Sequence, residues 1–147
     1  MKKCVMIFCC LLLLAGSAAA KGPKGKDLAG VWQMCIPVYA GDSLKNIQMV
    51  PFLKILYDDN RFMNIVITGN SPAKVTAEGK WKADDKGVYV ESVAQSTNDP
   101  AIVGKDNKMS YKIINDDMFS ITYQMPGSSR PATEIWYRVR MHIGARK

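Results

Sequence analysis

Apolar and polar residues alternate with a period of two from Leu28 onward, and short groups of turn-forming residues interrupt the alternation. The alternating runs are rich in Val, Ile, Tyr, Phe, Trp and Thr, which suit the pleated, half-buried surface of a β-sheet. The pattern predicts eight strands, at residues 30–37, 51–57, 61–68, 75–82, 87–95, 108–115, 118–124 and 133–142. Residues 42–48 depart from the alternation and are expected to form a single helical turn or a loop.

Three groups of Asp and Asn separate consecutive apolar runs, at residues 58–60, 84–87 and 115–117. Asp and Asn accept hydrogen bonds from nearby backbone and tolerate left-handed conformations, so these groups predict tight hairpin turns. A calcium site is the alternative interpretation of an acidic cluster. Calcium needs about six to eight oxygen ligands from a suitably spaced loop, and adjacent Asp pairs at separate turns lack that spacing.

Eight short strands joined mostly by hairpins, with no long helix between them, indicate an antiparallel meander. A meander of this length tends to close, because closure removes the exposed strand edges. The expected fold is therefore all-β, an antiparallel up-and-down eight-stranded barrel. A barrel of this size has an interior that is filled by side chains or holds one small ligand.

The first 20 residues have the three parts of a secretory signal peptide. Lys2 and Lys3 are followed by an apolar stretch over residues 5–15, and small residues precede the expected cleavage after Ala20. Lys21 stands where a lipoprotein would have cysteine, so we expect no membrane anchor. The sequence thus predicts an exported protein, periplasmic or secreted, with a signal peptide at 1–20, a flexible Gly/Pro-rich leader at 21–27 and one barrel domain at 28–147.

Cleavage would leave 127 of the 147 residues and would lower the formal net charge from +7 to +5. This charge is spread thinly and is not interleaved with a stacking platform, so no nucleic-acid partner is expected. The mature chain would keep Cys35 as its only cysteine, which forms no internal disulfide. Its apolar surroundings favour a buried small hydrophobe over a reactive thiol.

Two sequence motifs resemble the ends of lipocalin-like (calycin) barrels. The run from Leu28 to Trp32 resembles their Gly-x-Trp opening, and the run from Glu134 to Arg138 resembles their last strand, where an arginine packs over that first tryptophan. The mature chain is also similar to a family of uncharacterised exported proteins of Bacteroides-type bacteria with a lipocalin-like fold. This resemblance implies a fold but no ligand, because calycins carry varied ligands.

The sequence lacks the common motifs of enzyme active sites and metal sites. His142 is the only histidine, and the sequence lacks Gly-x-Ser-x-Gly, a phosphate-binding glycine loop and a His/Cys pair at zinc spacing. We therefore expect no enzymatic activity, no cofactor and no metal. A carboxylate-based hydrolase remains a weaker alternative, since Glu78, Glu91 and Glu134 are mid-strand acids that could face one another across a barrel.

The candidate site is a barrel lumen lined by aromatic side chains and a few polar groups, which is typical of small-ligand sites. The lumen candidates are Trp32, Tyr89, Glu91, Tyr111, Tyr123, Glu134, Trp136 and Arg138. We expect Arg138 to stack on Trp32 and to bond Glu91 or Glu134. The expected partner is a small, partly apolar molecule. The alternative is an interaction module that binds a protein or an anionic polysaccharide through its outer face.

Overall fold

The structure, a computed structural model, describes residues 28–125 and 127–140. The predicted signal peptide, the predicted leader and His142 lie outside these residues. The described part contains eight strands: β1 (Gly30–Ala40), β2 (Ser43–Leu56), β3 (Arg61–Val66), β4 (Lys74–Ala83), β5 (Val88–Ser96), β6 (Asp106–Asn115), β7 (Met118–Gln124) and β8 (Pro131–Arg138). A short 3-10 helix, Pro100–Ile102, lies between β5 and β6.

Each strand pairs antiparallel with the next, and β8 returns to β1, so the sheet closes into the predicted eight-stranded up-and-down barrel. The β1–β8 junction consists of four register pairs, which run from Trp32 opposite Arg138 to Cys35 opposite Ile135. Closure gives both β1 and β8 a partner along the barrel wall and thereby removes the exposed edges of an open meander. No helix within the described ranges is long and apolar enough to cross a membrane.

The three predicted Asp/Asn turns are confirmed, and all three lie at one end of the barrel, which we call the closed end. Asn60 has a φ of 66° in the β2–β3 turn. Asp84 Oδ1 accepts backbone hydrogen bonds from Lys86 at 2.9 Å and Val88 at 2.8 Å. The connections after β1, β3, β5 and β7 lie at the opposite end, which we call the loop end.

Residues 42–48 form neither the predicted helical turn nor a loop, because all but the first belong to β2. Their register partners lie in the extension of β1, with Ser43 opposite Ala40 and Gln48 opposite Ile36. By contrast, β8 pairs with β1 only over residues 32–35, and β3 pairs with β2 only over residues 52–56. Residues 36–50 therefore form a two-stranded hairpin that continues past the barrel wall, which we call the β1–β2 ribbon.

The last strand is also shorter than predicted, since β8 ends at Arg138. Beyond the ladder, backbone hydrogen bonds still hold the chain, from Val139 N to Val31 O at 2.8 Å and from Arg138 N to Asp117 O at 2.8 Å. Residues 141 and 142 of the predicted strand lie outside the described residues.

The core lies inside the barrel and is built from large aromatic and aliphatic side chains. The largest fully buried side chains are Trp32, Trp136, Tyr89, Phe62, Phe119, Leu28, Leu56 and Ile121. Strand alternation places Glu134 and Arg138 on the same inward face of β8 as Trp136. The mixed polar and aromatic face of β8 therefore points inward, and the more apolar face with Ile135 and Tyr137 lies outside.

Candidate functional site

A group of polar and aromatic side chains meets inside the barrel, above the residues that fill its closed end. We call this group the lumen cluster. Its members are Lys54 from β2, Tyr89 and Glu91 from β5, Tyr123 from β7, and Glu134 and Trp136 from β8. Period-two alternation brings these residues to one interior. Tyr89 and Trp136 are core residues themselves, and each of the other four lies two positions from a core residue on its own strand.

Lys54 and Glu91 form a buried ion pair between Lys54 Nζ and Glu91 Oε1, and the two residues are only 3% and 6% exposed. Tyr89 donates a hydrogen bond from its hydroxyl to the same carboxylate oxygen at 2.8 Å. Burial, and then the Glu91 charge, raises the pKa of Tyr89 well above its ordinary value. The phenol therefore keeps its proton and remains a donor, which helps to satisfy a carboxylate that has lost its water.

Aromatic rings surround the ammonium group of Lys54. Its Nζ lies 5.0 Å from the ring centroid of Trp136 and 5.8 Å from the centroids of both Phe62 and Tyr89. Cations within about 6 Å of an aromatic centroid are attracted by the electron-rich ring face. The barrel interior thus holds one ammonium group between a carboxylate and three rings.

Glu134 is the second carboxylate of the lumen cluster, and it is half-buried. Its Oε1 accepts a hydrogen bond from the Tyr123 hydroxyl at 2.9 Å, and its Oε2 accepts one from Trp136 Nε1 at 3.1 Å. Burial and the Glu134 charge raise the pKa of Tyr123 to about 12. No lysine or arginine between residues 28 and 125 or between 127 and 140 forms a salt bridge with Glu134.

Trp32 and Arg138 lie apart from the lumen cluster, at the closed end. They are register partners across the β1–β8 junction, and the guanidinium carbon of Arg138 lies 4.1 Å from the Trp32 ring centroid. Arg138 also donates to Ala29 O at 3.0 Å and to Asp116 O at 3.3 Å. Trp32 Nε1 donates to Leu28 O at 2.7 Å. The predicted stacking is confirmed, and these contacts join both ends of the barrel chain to one turn.

The predicted bond from Arg138 to Glu91 or Glu134 is wrong. Glu91 pairs with Lys54, which the barrel places nearer, and Glu134 accepts from Tyr123 and Trp136. The guanidinium instead lies against backbone carbonyls and the indole at the barrel base, so it helps to close the barrel.

Gly30, the glycine of the Gly-x-Trp motif, is required by this closure. Its φ is +142°, and a Cβ at this position would lie 2.8 Å from Nη1 of Arg138. Any other residue would adopt an unfavourable backbone conformation and displace the guanidinium from Trp32.

The closed end also carries a pocket of about 370 Å³, which includes Trp32, Asp116, Arg138 and Arg140 in its lining. Both arginines of this lining already have partners, and Asp116 is exposed. Arg138 makes the contacts above, and Arg140 forms a salt bridge of 2.7 Å with Asp117. The lumen cluster is therefore the stronger candidate site.

A family model described as "Domain of unknown function (DUF4488)" matches residues 27–145, which include the whole described barrel. The chain belongs to the DUF4488 family. No curated protein matches the chain. Since the description of the DUF4488 family gives no ligand or activity, function has to be argued from the side chains of the barrel itself.

The DUF4488 barrel divides seven of the eight predicted site residues into two groups. Tyr89, Glu91, Tyr123, Glu134 and Trp136 meet in the lumen cluster, whereas Trp32 and Arg138 close the barrel. Tyr111 packs against the core but turns its hydroxyl to the β4–β5 turn, where it donates to Asp84 O at 2.7 Å. It therefore does not join the lumen cluster.

Lys54 is the member of the lumen cluster that the sequence interpretation missed. A lone lysine between Leu53 and Ile55 reads as an outward polar residue. The available signal was that Lys54 shares its strand face with Phe52 and Leu56.

Of the three mid-strand acids, Glu78 is placed away from the other two. It pairs in register with Met63 on the outward face, next to the inward pair of Gly79 and Phe62.

Cys35 is buried, and burial raises the pKa of its thiol. Within the described ranges, no group of three or more His, Cys, Asp or Glu could hold a metal ion.

Proposed function

We propose that this DUF4488 protein is an exported, lipocalin-like binding protein that holds a small, partly apolar ligand in the lumen of its barrel. One observation carries the proposal. The carboxylate of Glu134 and the hydroxyl of Tyr123 are half-buried in the barrel interior, beside half-buried apolar side chains that pack on the core. A few polar groups among apolar and aromatic side chains are what small-ligand sites typically contain.

The burial of the interior differs between the two ends of the barrel. Leu28, Trp32 and Phe119 fill the closed end and are at most 1% exposed. Met34, Phe52 and Met109, which follow toward the loop end, are only partly buried. These residues would contact the apolar part of a ligand, and Glu134 with Tyr123 would fix its polar part.

The proposal assigns no catalytic reaction to the lumen carboxylates. Glu91 is held in an ion pair with Lys54, and both oxygens of Glu134 accept hydrogen bonds from Tyr123 and Trp136.

The export part of the proposal rests on residues 1–20. N-terminal sequencing of the protein outside the cytoplasm should give Lys21 as the first residue, and a start before Ser17 or a lipid-modified terminus would contradict it.

Ala132 and Thr133 offer a matched test of lumen binding. Ala132 is half-buried and opposite Tyr123 in register, on the inward face of β8, whereas its neighbour Thr133 is exposed on the outer face. The probe is N-phenyl-1-naphthylamine, a neutral apolar dye whose fluorescence rises when it leaves water. We expect the parent protein to bind the dye, and Ala132→Phe to weaken binding at least about tenfold by filling the lumen.

Thr133→Phe should bind the dye as the parent does, because it adds the same ring outside the barrel. Urea unfolding of both variants checks that the barrel remains folded. A parent protein that leaves the dye free, or equal binding by both folded variants, would refute a ligand site in the lumen.

A second candidate function, an interaction module, is favoured by the β1–β2 ribbon. Ile36, Tyr39 and Met49 on this ribbon are 52%, 58% and 42% exposed. Exposed apolar groups beside unpaired strand edges are typical of protein-binding surfaces. A photo-crosslinking residue at position 39 should then give one discrete protein adduct in cells, whereas the same residue at the exposed position 82 of β4 should not. Equal crosslinking from both positions would remove this candidate.

A further inference from the structure

The charges inside the barrel do not balance within the lumen cluster. Its charged members are Lys54, Glu91 and Glu134, and Lys54 forms its salt bridge with Glu91. Glu134 thus contributes a carboxylate that forms no salt bridge with a cationic side chain of the described barrel. A ligand with an anionic group would place a second negative charge beside it, while a cationic ligand would compensate it.

The Glu134 carboxylate also retains hydrogen-bonding capacity. A carboxylate has about four lone-pair sites, and Glu134 accepts one bond on each oxygen, from Tyr123 and from Trp136. Both donors are neutral, so they orient the carboxylate without cancelling its charge. The group is therefore positioned to accept further hydrogen bonds from a charged donor.

Lys54 provides an internal example of how this interior accommodates an ammonium group. Its Nζ pairs with one carboxylate and lies within 5.8 Å of three ring centroids. Glu134 also adjoins aromatic side chains, because Trp136 Nε1 and the Tyr123 hydroxyl donate hydrogen bonds to it. Phe52 extends this surface, with its ring centroid 5.9 Å from that of Trp136.

Access to Glu134 is from the loop end. The next inward position of β8 in that direction is Ala132, whose methyl group is the smallest side chain that the face could carry besides glycine. Glu134 itself is half-buried, whereas Glu91 is only 6% exposed. A ligand entering past Ala132 would therefore meet Glu134 before it met the Lys54–Glu91 pair.

From this arrangement we infer that the ligand is a small organic cation, a protonated amine or quaternary ammonium joined to an apolar group, with its charge at Glu134 and against the rings of Tyr123 and Trp136. This inference rests on the proposed ligand-binding function of the lumen. The apolar group lies toward Met34 on β1 and Phe52 on β2.

Three probes of one shape but different charge test the inference. They are 4-phenylbutylammonium, 4-phenylbutanol and 4-phenylbutyrate, each titrated against the protein with bound N-phenyl-1-naphthylamine and also measured directly by calorimetry. We expect the ammonium to bind about tenfold more tightly than the alcohol, and the carboxylate to bind more weakly than both.

The variants locate the preference. Glu134→Gln should bring the ammonium to the affinity of the alcohol and leave the alcohol unchanged, whereas the charge-conserving Glu134→Asp should keep a preference for the ammonium. Glu78→Gln makes the same chemical change on the outer face and should leave all three affinities as in the parent. Urea unfolding confirms that each variant is folded.

The outcomes separate this inference from the proposed function. Dye and alcohol binding without any preference for the ammonium would overturn the inference and leave the lumen as a ligand site. A preference that survives Glu134→Gln would also overturn it, because the cation would then be recognised elsewhere. Failure of the dye and all three probes to bind the parent would overturn both.

Discussion

Replacement of Lys54 by methionine tests the electrostatic design of the barrel interior. Methionine keeps most of the unbranched stem of lysine but removes the ammonium. Glu91 would then remain buried, at 6% exposure, with the neutral hydroxyl of Tyr89 as its remaining hydrogen-bond donor. A buried carboxylate without its cation is strongly unfavourable, because the folded protein has removed its water without supplying an opposite charge.

The expected loss in the free energy of unfolding is about 3–5 kcal/mol, the range for breaking one side of a buried ion pair. The pair fits this range because both partners are nearly inaccessible, at 3% and 6% exposure. The double variant Lys54→Met/Glu91→Gln should recover about 2 kcal/mol or more of this loss. The amide oxygen of the glutamine can still accept the hydrogen bond from the Tyr89 hydroxyl, and no charge remains buried at position 91.

Urea unfolding followed by tryptophan fluorescence measures these effects. With a denaturant dependence of about 2 kcal/mol per M, Lys54→Met should lower the midpoint by about 1.5–2.5 M. Lys80→Met is the matched control, since Lys80 is an exposed lysine in the middle of β4. It should change stability by no more than about 0.5 kcal/mol.

Two results would refute this reasoning. A Lys54→Met protein as stable as Lys80→Met would mean that Lys54 does not compensate a buried charge. Additive losses from Lys54→Met and Glu91→Gln in the double variant would mean that the two residues act independently.

Three further predictions concern the closed end, the wall and the loop side of the barrel. Arg138→Ala should lower the free energy of unfolding by about 2–4 kcal/mol through loss of the indole contact and two carbonyl bonds, and a double-mutant cycle with Trp32→Ala should show coupling; additive losses would refute the contact. Gly79→Ala should destabilise the protein by about 1–3 kcal/mol, because its Cβ would lie 2.1 Å from a backbone oxygen of β5. Gly69→Ala should be neutral, because its Cβ would meet no atom of the described residues within 4 Å. Equal urea midpoints for the two variants would contradict this close approach. The raised pKa of Tyr123, about 12 against an ordinary 10, favours the protonated form in the fold, so its contribution to stability is present below about pH 10 and is lost as pH rises through 12. The parent should therefore lose more unfolding free energy than Tyr123→Phe over this interval, and equal losses would show that the phenol is not shifted.

The barrel could be predicted from sequence because its determinants are local. Period-two alternation locates most of the strands. The Asp and Asn side chains at the closed end stabilise their own turns by accepting hydrogen bonds from nearby backbone. The β1–β2 ribbon could not be found in this way. Residues 43–48 are extended because the facing part of β1 supplies their backbone partners, from Ala40 opposite Ser43 to Ile36 opposite Gln48.

Most of the lumen cluster could be predicted for a similar reason. Glu91 and Glu134 each share a strand face with large aromatic residues, so an inward orientation of the aromatics carries the carboxylates with them. Lys54 is different, because its strand is apolar on both faces and only the neighbouring strands decide which face is inside. The sequence predicts a carboxylate partner for Arg138, but Glu91 pairs with Lys54 and Glu134 accepts from Tyr123 and Trp136. Which donor each carboxylate meets depends on distances between strands.

The β1–β8 junction has a consequence for the order of folding. Its contacts join residues far apart in the chain, such as Arg138 and the carbonyl of Ala29, which are 109 positions apart. Bringing such distant segments together costs about 4 kcal/mol of loop entropy, whereas the seven hairpins can each form from adjacent strands. The hairpins should therefore form before the barrel closes, and closure should limit the folding rate. A nascent chain, made from its N-terminus, keeps the β1 edge unpaired until β8 has been synthesised, and throughout this interval that edge is the place where two unfinished chains can join.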